Sequence, residues 1–553
     1  MYRKTLERFG LAIAVVITTL ASTMSSAPAA TLDLTTATVA DVQAAYAGGQ
    51  VSAEQVVSAY LARIAAYDKQ GPRIEAIVVV NPAALDDARA LDRARAAGAV
   101  RGPLHGIPVV IKDNIDVAGL GTTAGSQLLE GNVATVDAPV VARLRRAGAI
   151  ILAKVNMSEF AGSGGSVSGT PDPALLKAGA VPNGSSSLGL QTRNPHDPAR
   201  GPHGSSGGTG AALAAVFAPV GLGTDTGGSV RMPASANGIV GFKPTNGLLS
   251  RTGVVPLALT FDTVGPMARS VTDAAIALGV MTGVDAKDAS TAGSAGKFAT
   301  DYTPYLKRGS LRGARIGIAR ALMGKSTDTD AVVEQAIAAL RSLGAEVVDP
   351  AVVPEYLIDV KSQVYNMLVA AEFKAQLTDY LKTLGPGFPR GFDELVTKAN
   401  DPATKYRAPG KAVGLKYQAG QAMALDDPQY LALKNVQLPA IAAGIEAVFV
   451  KYRLDALVYP TMMRPAPLID PTEPPKVGGS SDLPTIFANE AGLPDLAVPA
   501  GMTNDGLPVT ISFLGRAWSE GQLLGYGYDF EQETKALRLP KFTPALTSDV
   551  IAY

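Results

Sequence analysis

The 553-residue chain has no cysteine, only three histidines and one tryptophan, and no excess charge, because 49 Lys and Arg are matched by 49 Asp and Glu. Without cysteine there is no disulfide, no thiolate zinc site, no Fe–S cluster and no cysteine nucleophile. Three histidines leave little for a His-rich metal centre. Zero net charge removes the basic excess on which nonspecific grip on nucleic acid depends, leaving only a local basic patch open. The missing cysteines do not fix the compartment, since they suit a reducing cytosol and equally a secreted protein without bridges. What is present, 47% hydrophobic and 18% charged residues, describes a folded globular chain and excludes a disordered one. Its length suits roughly three domains or one very large α/β unit.

The first thirty residues have three parts. Arg3, Lys4 and Arg8 precede the uncharged apolar run from Leu11 to Ala21, and STMSSAPAA follows with small residues. This is the layout of a cleavable secretory signal, with the cut near Ala29. The apolar run is too short to span a bilayer, which takes about 20 helical residues. There is no twin-Arg pair and no cysteine for a lipid anchor. Residues 1–29 are therefore expected to be removed, leaving a periplasmic or secreted protein without membrane association.

After the signal, Ser52 with Gln55 three residues on supplies an N-cap and capping partner between two helical patterns. AIVVVNP and GIPVVIKD are β-branched runs with the helix-like AALDDARALDRARAAG between them. The same rhythm returns in VVARLRRAGAIILAK, ARIGIAR, VVEQAIAALRSLGAEVVD and LDALVYPTM. Such alternation predicts an α/β layered fold around a large, mostly buried sheet. Between Gly162 and Gly210 glycine and serine accumulate, but strongly patterned segments flank the stretch, so a structured loop system is expected rather than a linker. A helical insertion is expected at about 280–430.

Gly204-Ser205-Ser206-Gly207-Gly208 fits G-x-S-x-G with Ser206 as nucleophile. That elbow needs a histidine after the serine, and the histidines stand at 105, 196 and 203. Met323-Gly324-Lys325-Ser326 looks like the end of a phosphate-binding loop, yet residue 319 is Ala where the motif needs Gly, so nucleotide binding is rejected. An order with His105 first and a later Asp and Ser stays open, beside a serine activated by lysine. Lys112 ends the apolar run Ile107–Ile111, where desolvation would lower its pKa; Lys154 in ILAKVNMSEF has a similar setting, and spacing does not choose between them. Gly223-Thr224-Asp225-Thr226-Gly227-Gly228-Ser229-Val230-Arg231 could let backbone N–H groups converge on one point, as an oxyanion hole requires.

Three segments together, HGIPVVIKDNID, GPHGSSGGTGAALAA and GTDTGGSVRMPASANGIVGFKPTNGL, resemble the amidase signature family. NMSEFA, TRNPHDP, FDTVGPMARSVTDAA and LAVPAGMTNDGLPVTISFLGR extend the likeness, in the family's order, over nearly the whole chain after residue 29. A finer likeness is to secreted bacterial peptide amidases. The resemblance implies a single large α/β/α domain over residues 30–553 with a central mixed sheet. Its signature core would lie at about 100–275 and a C-terminal return to the sheet at about 450–553.

The same resemblance implies Ser229 as nucleophile, Ser205 as a bridging serine after a cis peptide, and Lys112 as terminal base. Thr226, Gly227 and Gly228 would form the oxyanion hole, with Ser206, Asp225 and Arg231 in support. Ser205 and Ser229 are 24 residues apart, as in the family, whereas the 93 residues from Lys112 to Ser205 are more than it usually has. The excess lies in an insertion near 166–187 that touches no implied catalytic position. The expected activity is hydrolysis of a carboxamide C–N bond through an acyl-enzyme, with ester or carbamate cleavage as the alternative and, further off, an amidotransferase subunit or an exported solute-binding protein. No cofactor or metal is expected; the partner would be a small-molecule or peptide amide, and the protein a monomer or homodimer.

Overall fold

The computed structural model describes residues 31–162, 173–179, 181–470 and 484–553. The expected signal segment lies outside these residues, as does part of the insertion near 166–187. Ser52 caps the helix Ala53–Tyr67 by a reciprocal exchange with Gln55. This satisfies two backbone donors that a helix start leaves open. The strand–helix–strand pattern that follows becomes Ile77–Val80, Ala84–Ala96 and Pro108–Lys112.

Eleven strands form one sheet. In spatial order they are Glu346–Val348, Arg315–Ile318, Ala456–Pro460, Pro508–Leu514, Asp495–Met502, Val240–Lys243, Thr263–Ala268, Val220–Asp225, Pro108–Lys112, Ile150–Val155 and Ile77–Val80. Parallel and antiparallel neighbours are mixed, and Pro108–Lys112 runs parallel to both Val220–Asp225 and Ile150–Val155. Every residue of these three strands is buried. Strands covered on both faces read as mainly apolar runs, as these do up to the polar residues Lys112, Lys154, Thr224 and Asp225 near their ends. Each fully buried Val, Leu or Ile contributes roughly 1.5–3 kcal/mol, so this layer is the stiff part of the molecule.

The helical insertion is narrower than expected. Arg315–Ile318 and Glu346–Val348 join the main sheet, with helix Thr327–Ser342 between them, and continuous helix begins only at Glu355–Thr383. These two strands are the ones that ARIGIAR and VVEQAIAALRSLGAEVVD predict, within the region read as a helical insertion. Phe373, Leu377, Phe392 and Leu415 from the insertion then pack on Leu129, Met157 and Phe160 beside the sheet's edge.

The Gly/Ser-rich stretch is packed structure from Gly201 to Gly210, where nearly every residue is buried. Helix Gly207–Ala214 is buried on every side, and it passes so close to the loop after Ile150–Val155 that a Cβ on Gly208 would lie 2.2 Å from the Asn156 carbonyl oxygen. Small residues are what allow this approach. Gly208→Ala is therefore predicted to destabilise the protein by about 1–3 kcal/mol or more, measured by denaturant unfolding; an unchanged midpoint would show that the approach is not tight.

Candidate active site

Lys112 ends the strand Pro108–Lys112 and Asp225 ends its parallel neighbour Val220–Asp225. Both chains therefore deliver their last side chains to the same edge of the sheet, the place where α/β sheets present ligand sites. Ser205 and Ser206 lead into the helix Gly207–Ala214, and Ser229 stands just before the helix Arg231–Asn237. The Gly204–Ser205 peptide is cis. The Ser206 N–H donates to the Ser229 carbonyl at 3.1 Å, tying the two serine segments together.

Lys112 is wholly buried. Its Nζ lies 2.8 Å from Ser205 Oγ, 2.8 Å from Thr224 Oγ1 and 3.3 Å from the Thr224 carbonyl. Asn114 Nδ2 donates to the same Thr224 Oγ1 at 3.0 Å. Desolvation lowers the amine to about 7, against the pull of the Asp225 and Asp262 charges. Near neutral pH a large share of Lys112 is thus the uncharged amine, with two N–H donors and one lone pair. Thr224 offers two acceptors for the two N–H groups, which leaves the lone pair for the Ser205 hydroxyl.

Lys154, the other lysine with a suitable setting in the sequence, is held by the Gly121 carbonyl at 2.6 Å and lies 3.5 Å from Asp113. No serine is among its partners. Ser206 is also accounted for: its hydroxyl donates to the Thr224 carbonyl at 3.2 Å and accepts from the Thr224 N–H at 3.3 Å. It braces the strand end that carries Thr224. All three histidines bond to backbone, His105 to Leu91, His196 to Asn237 and His203 to Gly204.

Burial falls away from Lys112 towards Ser229, from 0% exposure at Lys112 to 2% at Ser205 and 8% at Ser229. The Ser229 hydroxyl makes no hydrogen bond among the described residues and does not yet meet Ser205. The carbonyls around it are all held, Gly227 by Thr485 Oγ1 at 2.9 Å, Gly228 by the Met232 N–H at 2.7 Å and Ser229 by Ser206. The N–H groups of Thr226, Gly227 and Ser229 have no acceptor among the described residues, so they remain for a ligand. Gly228 is the exception to the expected donor set. Its N–H donates to Asp225 Oδ1 at 2.8 Å, in a backbone conformation with φ of +122°.

Asp225 and Arg231 hold this loop in shape. Arg231 grips Asp225 with Nη2 at 3.0 Å and Nε at 3.1 Å, and both side chains are fully buried. Against the desolvation that would raise it, the guanidinium and its hydrogen bonds keep the Asp225 carboxyl well below the usual range. Asn489 adds a bond to each partner, and Arg231 reaches Asp495 and the Thr485 carbonyl beyond. Removing one member of such a buried pair typically costs about 3–5 kcal/mol.

Four residues at the site are not singled out by the sequence. Asn114 and Thr224 sit inside segments already flagged, and only their contacts with Lys112 reveal them. Asp262 accepts from Thr226 Oγ1 at 2.6 Å and so pins the loop from a third side. Tyr365 arrives from the helix Glu355–Thr383: a Cβ on Gly227 would lie 2.4 Å from its hydroxyl, and its ring packs on Phe261 at 5.2 Å. Burial, reinforced by the Asp225 charge, keeps that phenol protonated. It is therefore a hydrogen-bond donor lying against the loop that holds Ser229. Nothing in a helical run of mixed residues announces such a position.

Comparison with known proteins identifies the family. The chain matches the family described as Amidase over residues 55–524. It is 36% identical to a glutamyl-tRNA(Gln) amidotransferase subunit from Symbiobacterium thermophilum, over 91% of this chain and 97% of that one. Its structure is similar to the native peptide amidase from Stenotrophomonas maltophilia, with 39% identity, a TM-score of 0.81 and coverage of 92% of this chain and 99% of that one. The corresponding glutamyl-tRNA(Gln) amidotransferase subunit from Thermotoga maritima is less alike in structure, at 27% identity and a TM-score of 0.66 over 92% of this chain and 99% of that one. With the family matched across most of its length and a lysine–serine contact at the edge of its sheet, the chain belongs to the amidase family and is an amide-hydrolysing enzyme.

Proposed function

We propose that the protein is an exported serine amidase in which Ser229 attacks the amide, Ser205 relays protons and Lys112 is the base. The observation that carries this reading is the 2.8 Å contact between the wholly buried Lys112 amine, which burial lowers to about 7, and Ser205 Oγ. On this reading the Ser229 hydroxyl meets Ser205 Oγ once substrate is bound, in keeping with catalytic hydrogen bonds that tighten only around bound substrate. The Ser229 proton then passes to Ser205 Oγ as the Ser205 proton passes to Lys112 Nζ, and Ser229 Oγ bonds to the carbonyl carbon. The carbonyl oxygen gains negative charge, which the N–H groups of Thr226, Gly227 and Ser229 stabilise, each donor worth about 10²–10³ in rate.

Collapse of this intermediate needs the reverse transfer. Lys112 returns its proton through Ser205 to the leaving nitrogen, which departs as ammonia or an amine rather than as an unstable anion. Water then cleaves the acyl-enzyme by the same relay. The likeness to a peptide amidase supports peptide amides or other small carboxamides as substrates, and the structural likeness to it exceeds that to the amidotransferase. The basic, apolar and small-residue succession of residues 1–29 supports export, which also separates the chain from tRNA. Ester or carbamate cleavage uses the same groups, and a substrate panel distinguishes them.

Ser229→Ala should lower kcat by at least about 10⁴-fold on a good amide substrate with the fold intact; retention of most activity would sink the assignment. The pH profile follows from Lys112. A protonated amine cannot accept, so log kcat/KM should rise with unit slope up to about 7 and level off above it, and Lys112→Met should abolish that limb along with most activity. Thr224→Val keeps the shape but removes one acceptor for the amine. A loss of about 10- to 100-fold in kcat with little change in KM is expected, whereas a KM effect alone would assign Thr224 to substrate binding.

A further inference from the structure

The helical stretch Pro428–Tyr452 turns Ile441, Ile445, Val448 and Phe449 inward, into the apolar cluster with Leu357 and Phe487. Its outer face is also apolar. Ala432, Val436, Ala440, Ala443, Ala447 and Val450 are all exposed and recur at intervals of three and four residues. Val436 is 66% and Val450 60% exposed. Tyr356 lies at the rim of this face, its hydroxyl close enough to Gly444 that a Cβ there would stand 2.7 Å from it. An apolar stripe along the length of a surface helix is more than scattered exposed residues.

Four of the six stripe residues pair with one another when the stripe is reversed, while Val450 falls opposite Gln429 and Ala440 opposite Pro439. About an axis between Pro439 and Ala440, Ala432 is as far out as Ala447 and Val436 as far as Ala443. The same relation sets the acidic end, Asp426 and Asp427, opposite the end that carries Lys451 and Arg453. Asp426, Lys451 and Arg453 are exposed. A twofold axis at this point would thus bring alanine and valine side chains together along the seam and opposite charges together at both ends. Small residues let two helices approach within about 8–10 Å, and a patch that pairs with itself is what a twofold interface requires.

We propose that this face is the interface of an antiparallel twofold dimer with a second copy of this chain. A bilayer suits it less. Although Pro428–Tyr452 is long and apolar enough by length and composition to cross a membrane, Asn435, Gln437 and Glu446 are exposed beside the stripe, and Glu446 is paired with Arg516 at 2.9 Å. Polar groups of this kind suit the rim of a protein interface and are costly in hydrocarbon. A seam of 25 residues is about 37 Å long. At a width of about 10 Å it supplies on the order of 400 Å² per copy, against about 800 Å² in a standard interface. The dimer is accordingly reversible and concentration-dependent.

Sedimentation velocity of the purified protein between about 1 and about 100 μM, a range that brackets weak association, should show the average mass rising from monomer towards dimer. Val436→Lys or Ala443→Glu alone should leave a monomer at every concentration, with amide hydrolysis unchanged as proof of folding. The two substitutions together should restore the dimer, since each introduced charge then faces its opposite across the axis. A wild-type protein that stays monomeric overturns the proposal, as does a dimer that both single variants retain or a double variant that fails to reassociate. Flotation of a monomeric wild-type protein with phosphatidylcholine–phosphatidylglycerol vesicles would assign the face to a lipid surface instead.

Discussion

The proposed chemistry depends on burying one amine without letting a carboxylate touch it. Lys112 stands at the end of a strand whose every residue is buried, and its contacts are the hydroxyl and carbonyl of Thr224 and the hydroxyl of Ser205. A carboxylate in direct contact would favour the ammonium and leave no lone pair to accept a proton. Asp225 and Asp262 are near enough to pull the amine upwards, yet desolvation outweighs them and holds it at about 7. Arg231 bears on this balance, because its bidentate grip neutralises Asp225 within the same layer. One ion pair therefore serves two ends: it fixes the glycine loop and it mutes the charge most able to spoil the base.

Shape at the site is imposed from distant parts of the chain. The loop 226–229 is the shared edge of several separate attachments: Asp262 on the Thr226 hydroxyl, Thr485 on the Gly227 carbonyl, Ser206 on the Ser229 carbonyl and Tyr365 against Gly227. Glu372, on the same helix as Tyr365, receives the Thr260 N–H at 3.0 Å and Lys434 at 3.0 Å, so the insertion is bound to the segment that carries Asp262. The helical layer and the loop 226–229 are thus one mechanical unit.

The sequence makes the strand–helix alternation, the Ser52 cap and the lysine–serine–serine set legible, because each is local or carried by a motif. Choosing Lys112 over Lys154 is beyond spacing alone; both end buried runs, and only the parallel pairing of 108–112 with 220–225 brings Lys112 to the serines. Within the region read as a helical insertion, 315–318 and 346–348 are strands that the β-branched pattern shows; what the sequence does not show is that 315–318 takes a second neighbour in Ala456–Pro460, more than 100 residues away. Gly228 shares a glycine run with its fellow donors, although its own N–H is committed to Asp225. Tyr365 and Asn489 carry no local signal at all. Their importance is a matter of three-dimensional convergence.

The proposed chemistry rests on Lys112 being an uncharged amine near neutral pH, and that state can be observed directly. In protein carrying ¹³C at the lysine Cε, with the Lys112 signal assigned by comparison with Lys112→Arg, the chemical shift can be followed by NMR from pH 5 to pH 11. A midpoint at about 7 for the resting enzyme is the predicted result. A midpoint at about 10, where an ordinary exposed lysine titrates, would contradict the proposed base and with it the relay through Ser205 to Ser229.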